Sequence, residues 1–153
     1  MNLWLVAALS AVIFLLSCKS ENKKGIVEKS TPSEIAETAY AHLIKGEYDE
    51  YLSCVQSYDS IPQRYHNSLV NVLKQAAENE KKERKGMVSA KAIAENTNEK
   101  ATYSVVRIDI TYGDSTKEEI AVPVIKYNGR WRLKWYGIMF AGAFFRLEHD
   151  CFL

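Results

Sequence analysis

The stretch Ile120-Ala121-Val122-Pro123-Val124-Ile125-Lys126-Tyr127-Asn128-Gly129-Arg130-Trp131-Arg132-Leu133 reads as two antiparallel strands joined by a two-residue turn. Asn128 and Gly129 tolerate the positive φ angles of a type I′ turn, whose twist matches that of the strands it joins. Ahead of the turn, Ile120, Val122 and Val124 face one way. After it Trp131, Leu133 and Trp135 share a face, with Arg130, Arg132 and Lys134 on the other. Alternation of this kind means that one face of the sheet is buried. Pro123 has no amide hydrogen, so it needs an edge, a bulge or a position whose amide is not used in pairing.

Working back toward the amino terminus, the period stays at two. Val106, Ile108, Ile110 and Tyr112 alternate with Arg107, Asp109 and Thr111 in a strand expected over Thr102 to Tyr112. Gly113-Asp114-Ser115 turns it into a strand over Lys117 to Tyr127, and the last strand runs from Arg130 to Tyr136. A first strand is expected over Met87 to Glu95, with a turn at Asn96-Thr97-Asn98. The result is a four-stranded antiparallel meander.

Before Gly86 the period becomes helical. Thr31-Pro32-Ser33-Glu34 is a helix start: Thr31 can cap, Pro32 suits the first helical position and Glu34 completes a capping box. Ile35, Ala36, Ala39, Tyr40 and Leu43 form one apolar face, the helix ends near Lys45, and Gly46 can close it in the left-handed conformation. A short second helix is expected from Tyr48 to about Val55. Ser60-Ile61-Pro62-Gln63 offers another capping box for a third, longer helix, with a stripe of Tyr65, Leu69, Val72, Leu73 and Ala76. Glu78 to Lys85, charged with mixed sign, reads as a solvated end.

The helix from Thr-Pro-Ser-Glu, the segment Lys45-Gly46-Glu47-Tyr48-Asp49, a long helix, paired strands and the hairpin Tyr127 to Leu133 together resemble the nuclear transport factor 2-like superfamily. Within it the chain is similar to small bacterial lipoproteins that carry a lumazine-binding-like domain of unknown function. The resemblance covers about residues 31–136 and rests on the order of degenerate motifs. It implies an α+β cone in which three amino-terminal helices pack on a curved antiparallel sheet that wraps the first helix, with a cavity between sheet and helices.

The amino terminus carries a second resemblance. An uncharged apolar run from Leu3 to Leu16 ends in Leu15-Leu16-Ser17-Cys18 and then turns polar. The run is shorter than the roughly 20 residues of a spanning helix, and its end resembles the lipobox of bacterial lipoproteins. That resemblance implies lipidation of the Cys18 thiol, cleavage after Ser17 and attachment to a membrane through the lipid. A single acyl chain anchors only marginally, so two or three are needed. Met1-Asn2 lacks the Lys or Arg of a standard leader. Lys19 follows the acceptor where some bacteria place an inner-membrane retention Asp, so the resemblance favours the outer membrane of a Gram-negative cell envelope. The expected organisation is residues 1–17 as signal peptide, 18–30 as polar tether and 31–153 as one domain, with 136–153 a short apolar extension.

With 20 basic and 19 acidic side chains the chain lacks the excess of positive charge that nucleic acid would select. Of its three cysteines, the resemblance would assign Cys18 to lipid, leaving Cys54 and Cys151 either to pair in an oxidising envelope or to pack as separate thiols. His42, His66 and His149 are scattered without metal-ligand spacing, so neither a metal nor a cofactor is expected.

Ligands usually sit in concave pockets with a few polar groups. The inward-facing candidates are Tyr40, Tyr51, Tyr65, Tyr103, Tyr112, Trp131 and Trp135, which could equally fill the core. The superfamily includes isomerases and dehydratases that set an acid or His base beside a Tyr or Asp. Here Asp109 points outward and His42 sits at the edge of its helix stripe, so no acid–base pair is evident and no catalytic residue is assigned. No Gly-rich phosphate loop or nucleophile elbow is present. The apolar tail 137–153 either covers the sheet or presents a surface to a partner or lipid. The reading is a lipid-anchored envelope module that binds a small apolar molecule or an envelope protein. A cavity-based isomerase or lyase and a purely structural module are the alternatives.

Overall fold

A computed structural model describes residues 30–134. The signal peptide, Cys18, most of the tether, Trp135, His149, Cys151 and the apolar extension lie outside the described residues. Helix α1 (Pro32–Lys45) starts as the sequence requires: the Thr31 hydroxyl accepts from the Glu34 amide at 3.2 Å and Glu34 accepts from the Thr31 amide at 2.8 Å. It closes on Gly46 at φ 75°. Helix α2 (Tyr48–Ser53) is two residues shorter than expected, because Val55 leaves the helix to form an isolated parallel bridge with Leu133. A single 3-10 turn (Tyr58–Ser60) leads into α3 (Gln63–Arg84), which at 22 residues is the long helix of the fold.

Pro62, not Ser60, occupies the cap position of α3, and no side chain caps it. The expected capping box is therefore absent. The α3 stripe is also rotated from the expected one. Tyr65 and Val72 are exposed, while His66, Leu69, Val70, Leu73, Ala76, Ala77 and Glu80 turn inward. The run from Glu78 to Lys85 is accordingly not wholly solvated, since Glu80 and Arg84 are half-buried.

Strands β1 (Met87–Thr97), β2 (Tyr103–Tyr112), β3 (Lys117–Tyr127) and β4 (Arg130–Leu133) form one antiparallel sheet in the order β1-β2-β3-β4. β1 continues two residues beyond the expected Glu95. The turn shifts to residues 98–102, where the Asn98 carboxamide accepts from the Thr102 and Tyr103 amides. Asn128 and Gly129 take φ 50° and 77°, the left-handed pair that the hairpin needs. Pro123 keeps its carbonyl in use, accepting from the Lys134 amide at 2.9 Å.

The buried face carries Val106, Ile108, Ile110 and Tyr112 from β2, Ile120, Val122 and Val124 from β3, and Leu133 from β4, all 8% exposed or less. The first helix lies on that face through Ile35, Ala36, Ala39 and Tyr40. β1 is an edge strand, and two bulges, at Val88 and Ile93, break its register. α1 covers part of that edge: Glu37 accepts from the Ala92 amide at 2.8 Å, and Ser33 donates to Glu95 from both its amide and its hydroxyl. Bulges and covering side chains of this kind blunt an edge against unwanted pairing.

Candidate functional site

The aromatic candidates divide sharply. Tyr40, Tyr51 and Tyr112 are 1–2% exposed and meet inside the fold, with the Tyr40 and Tyr51 rings edge-to-face at 6.4 Å. Burial raises the pKa of all three phenols, so they remain neutral hydrogen-bonding groups at any physiological pH. Trp131 packs against the edge of the core beneath the Lys126 ammonium. Tyr65 points to solvent at 49% exposure. Tyr103 lies on the opposite face of β2 from the core residues, half-buried under the Lys134 ammonium. Tyr103 shows its orientation through its parity, one residue out of step with Ser104, Val106 and Ile108.

A polar cluster that hydrophobic periodicity does not reveal sits beside Tyr112. Glu118 occupies the inward row of β3, two residues before Ile120. Its Oε2 accepts from the Arg84 guanidinium at 2.7 Å and from the Tyr112 hydroxyl at 2.9 Å. The guanidinium also lies 4.1 Å from the centre of the Tyr112 ring. Glu80, one turn before Arg84 on α3, stands 3.8 Å from it, and the Glu80 Oε2 is buried with no hydrogen-bond partner. Burial pushes the Glu80 carboxyl above its ordinary range, Arg84 opposes this, and the Glu118 charge adds to the rise. The signal available in sequence was spacing: Leu73, Ala77, Glu80 and Arg84 continue one helical face.

Glu80 borders an open cleft of about 420 Å³ between the carboxyl-terminal ends of α1 and α3 and the start of β1. Leu43, Ile44 and Met87 supply apolar walls, and Lys45, Lys81 and Lys85 bring ammonium groups to it. A volume of this size lies within the roughly 300–1,000 Å³ typical of small-molecule sites. The cleft could hold an amphipathic body against its walls and an anionic group among its lysines.

His42, at the edge of α1, is tied to the chain just beyond it, its Nδ1 lying 2.6 Å from Glu47 Oε2. Asp109 faces outward, 3.9 Å from the Lys117 ammonium. His66 instead faces inward: its Nε2 lies 3.0 Å from Asp49 Oδ1 and 3.2 Å from the Tyr58 hydroxyl, linking α2, the 3-10 turn and α3. Cys54 is a buried free thiol, and burial pushes its pKa up to about 11 against the opposing Arg132 charge. Its expected partner Cys151 is outside the described residues. Among the described residues no three His, Cys, Asp or Glu side chains group as a metal ion would require, and no helix is long and apolar enough to cross a membrane.

No protein-family profile matches the chain, and no curated protein sequence matches it. A solved structure from Campylobacter jejuni described as a "putative NTF2-like transpeptidase" is similar at 14% identity and a TM-score of 0.56, over 69% of this chain and 98% of that one. At that identity the likeness shows the fold alone. Three helices on a curled four-stranded antiparallel sheet have an NTF2-like fold, as the motif order implied.

Proposed function

We propose that this chain is a lipid-anchored protein of the cell envelope, held in the outer membrane through Cys18, whose NTF2-like domain binds a small amphipathic molecule without transforming it. The observation that carries the binding reading is the cleft between α1 and α3, with apolar walls and three lysines at its border. The inner tyrosines are core, so the ligand site moves from the interior of the cone to this opening. The anchoring half rests on the apolar run and the lipobox-like Leu15-Leu16-Ser17-Cys18.

A nucleophilic cysteine needs a depressed pKa, whereas Cys54 is shifted upward in an apolar setting. One observation favours a second reading, a small isomerase or lyase: Glu80 is a raised carboxyl at the cleft, the kind of group that serves as a general acid or base. Glu118 is less suited to that role, since its Oε2 is occupied by Arg84 and Tyr112.

The probe for the cleft is 1-anilinonaphthalene-8-sulfonate, an apolar fluorophore bearing one anionic group. Saturable one-to-one binding that weakens in both Ile44→Glu and Lys81→Glu is expected. Unsaturable fluorescence, or affinity unchanged in both variants, would refute the cleft. Near-ultraviolet circular dichroism separates this from dye uptake by a loosened fold. For the anchor, mass spectrometry of the native amino terminus should find diacylglyceryl-modified Cys18, and an intact leader would overturn the location.

A further inference from the structure

A second cavity, of about 250 Å³, lies at the other end of the sheet, where the β3–β4 hairpin meets the segment between α2 and α3. Met87 and Lys117 mark the sheet end nearer the cleft, and Tyr127 and Arg130 mark this one. Its walls are mostly polar and include Arg130, Arg132, Ser57, Tyr58, Asp59 and Tyr127. We infer that this cavity is a binding site for a small oxyanion, a carboxylate or phosphate group, received by Arg132 and Arg130.

Three features lead to this class of ligand. The arginines are two residues apart on one strand, so the period-two geometry brings both to the same face. Arg132 is also pre-positioned: its Nη1 donates to the Ser53 carbonyl at the end of α2. That acceptor is a neutral dipole and leaves the guanidinium charge uncancelled by a counter-ion at that contact. A fork held in one orientation loses less freedom when it closes on two oxygens of an anion, which is why arginine suits carboxylate and phosphate recognition.

Charge and size narrow the choice further. The two arginines outweigh Asp59, so the lining favours an anion but penalises one of high charge. The Tyr127 and Ser57 hydroxyls can donate to oxygens that the guanidinium groups do not reach. At about 250 Å³ the cavity is smaller than the usual drug-sized pocket, so the ligand extends only a few atoms beyond its anionic group. This site is separate from the cleft in both place and chemistry.

The test is a heteronuclear magnetic resonance titration of the full-length chain with inorganic phosphate and, separately, with acetate, using sodium chloride at matched ionic strength as control. Saturable shifts of the Arg132 side-chain Nε–H and the Ser57 and Tyr58 amides are expected in at least one arm, and the arm that saturates identifies the oxyanion. Arg132→Gln and Arg130→Gln should each weaken that binding about tenfold or more, as loss of a charge-assisted contact does. Because Arg132 also holds α2, signal dispersion verifies the fold of both variants, and Arg130, exposed on the hairpin, supplies the second. Shifts no different from those with chloride, or undiminished affinity in the folded Arg130→Gln protein, would overturn the site.

Discussion

Replacing Arg84 with Met isolates the charge of the α3 lock, because Met can retain an unbranched apolar stem over the Tyr112 ring. Removing one partner of a fully buried ion pair costs about 3–5 kcal/mol. Here the Arg84 and Glu118 side chains are 29% and 25% exposed, so water shares the load and about 2 kcal/mol is the expected loss near pH 7. For a domain of about 100 residues this lowers Tm by about 10 °C. The loss should also depend on pH. Arg84 is the charge that opposes the upward shift of Glu80, so the variant raises that carboxyl further. A carboxyl whose folded pKa lies above its unfolded value binds more protons when folded, and its stability penalty grows as pH rises through that window. Above the folded pKa the penalty is complete, and below the ordinary carboxylate range it disappears. Thermal melts of both proteins by circular dichroism at about pH 4, 5.5 and 7 should therefore show the smallest difference at the acid end. Titrations common to both proteins cancel in that difference to the extent that they are independent of the mutation. A Tm loss below about 3 °C near neutrality would refute the magnitude assigned to the ion pair, and one that does not shrink toward acid would refute the sign assigned to the Glu80 titration.

Three further outcomes are expected. Gly113→Ala sets a Cβ 2.7 Å from the Lys85 carbonyl oxygen, a backbone atom, and should cost about 1–3 kcal/mol in the urea denaturation midpoint. In the reduced, folded protein Cys54, its thiol pushed up to about 11, should resist iodoacetamide near pH 8 and become labelled only after denaturation, read by peptide mass spectrometry. Tyr51→Ala should cost about 3–5 kcal/mol and Tyr65→Ala, half-exposed, about 1 kcal/mol or less, as measured by chemical denaturation.

The features legible in the sequence were those fixed by short-range chemistry. The Thr31 capping box, the Gly46 stop, the Asn128-Gly129 turn and the inward rows of β2 and β3 each follow from residue type and period. What escaped was burial by polar residues. Tyr65, Leu69, Val72, Leu73 and Ala76 make a persuasive apolar stripe, yet α3 rolls so that His66, Glu80 and Arg84 face inward and Tyr65 and Val72 face out. A hydrophobic count cannot find a face whose ends are ionic, because those side chains become buriable only through partners distant in sequence, Asp49 for His66 and Glu118 for Arg84. The same blindness hid Glu80 at the cleft. Tyr103 follows strand parity and not aromatic character: one residue out of step with the buried Ser104 and Val106, it lies on the outer face of β2.

The rolled α3 also bears on how the cleft works. Leu73 is the one buried apolar side chain among those described on α3, with Leu69 and Val70 packed partly against the core, so the helix gains less from the core than α1 does. It is fastened near its ends. Toward the amino terminus His66 meets Asp49 and Tyr58. At the carboxyl end Arg84 meets Glu118, its carbonyl accepts from the Asp114 amide, and Gly86 accepts from Gly113. α1, by contrast, is embedded in the sheet through four nearly fully buried residues. The two walls of the cleft therefore differ in kind, one belonging to the core and one tied on at its ends. Local opening draws on segments with few buried apolar contacts. Movement of α3 away from α1 would widen the cleft while leaving the α1–sheet core intact, and would let the proposed ligand enter although the interior is filled. The fasteners are polar and partly hydrated, so solution conditions reach them more readily than they reach Ile108 or Val124. In this fold the ionic lock at Arg84 and the cleft are two aspects of the same helix position.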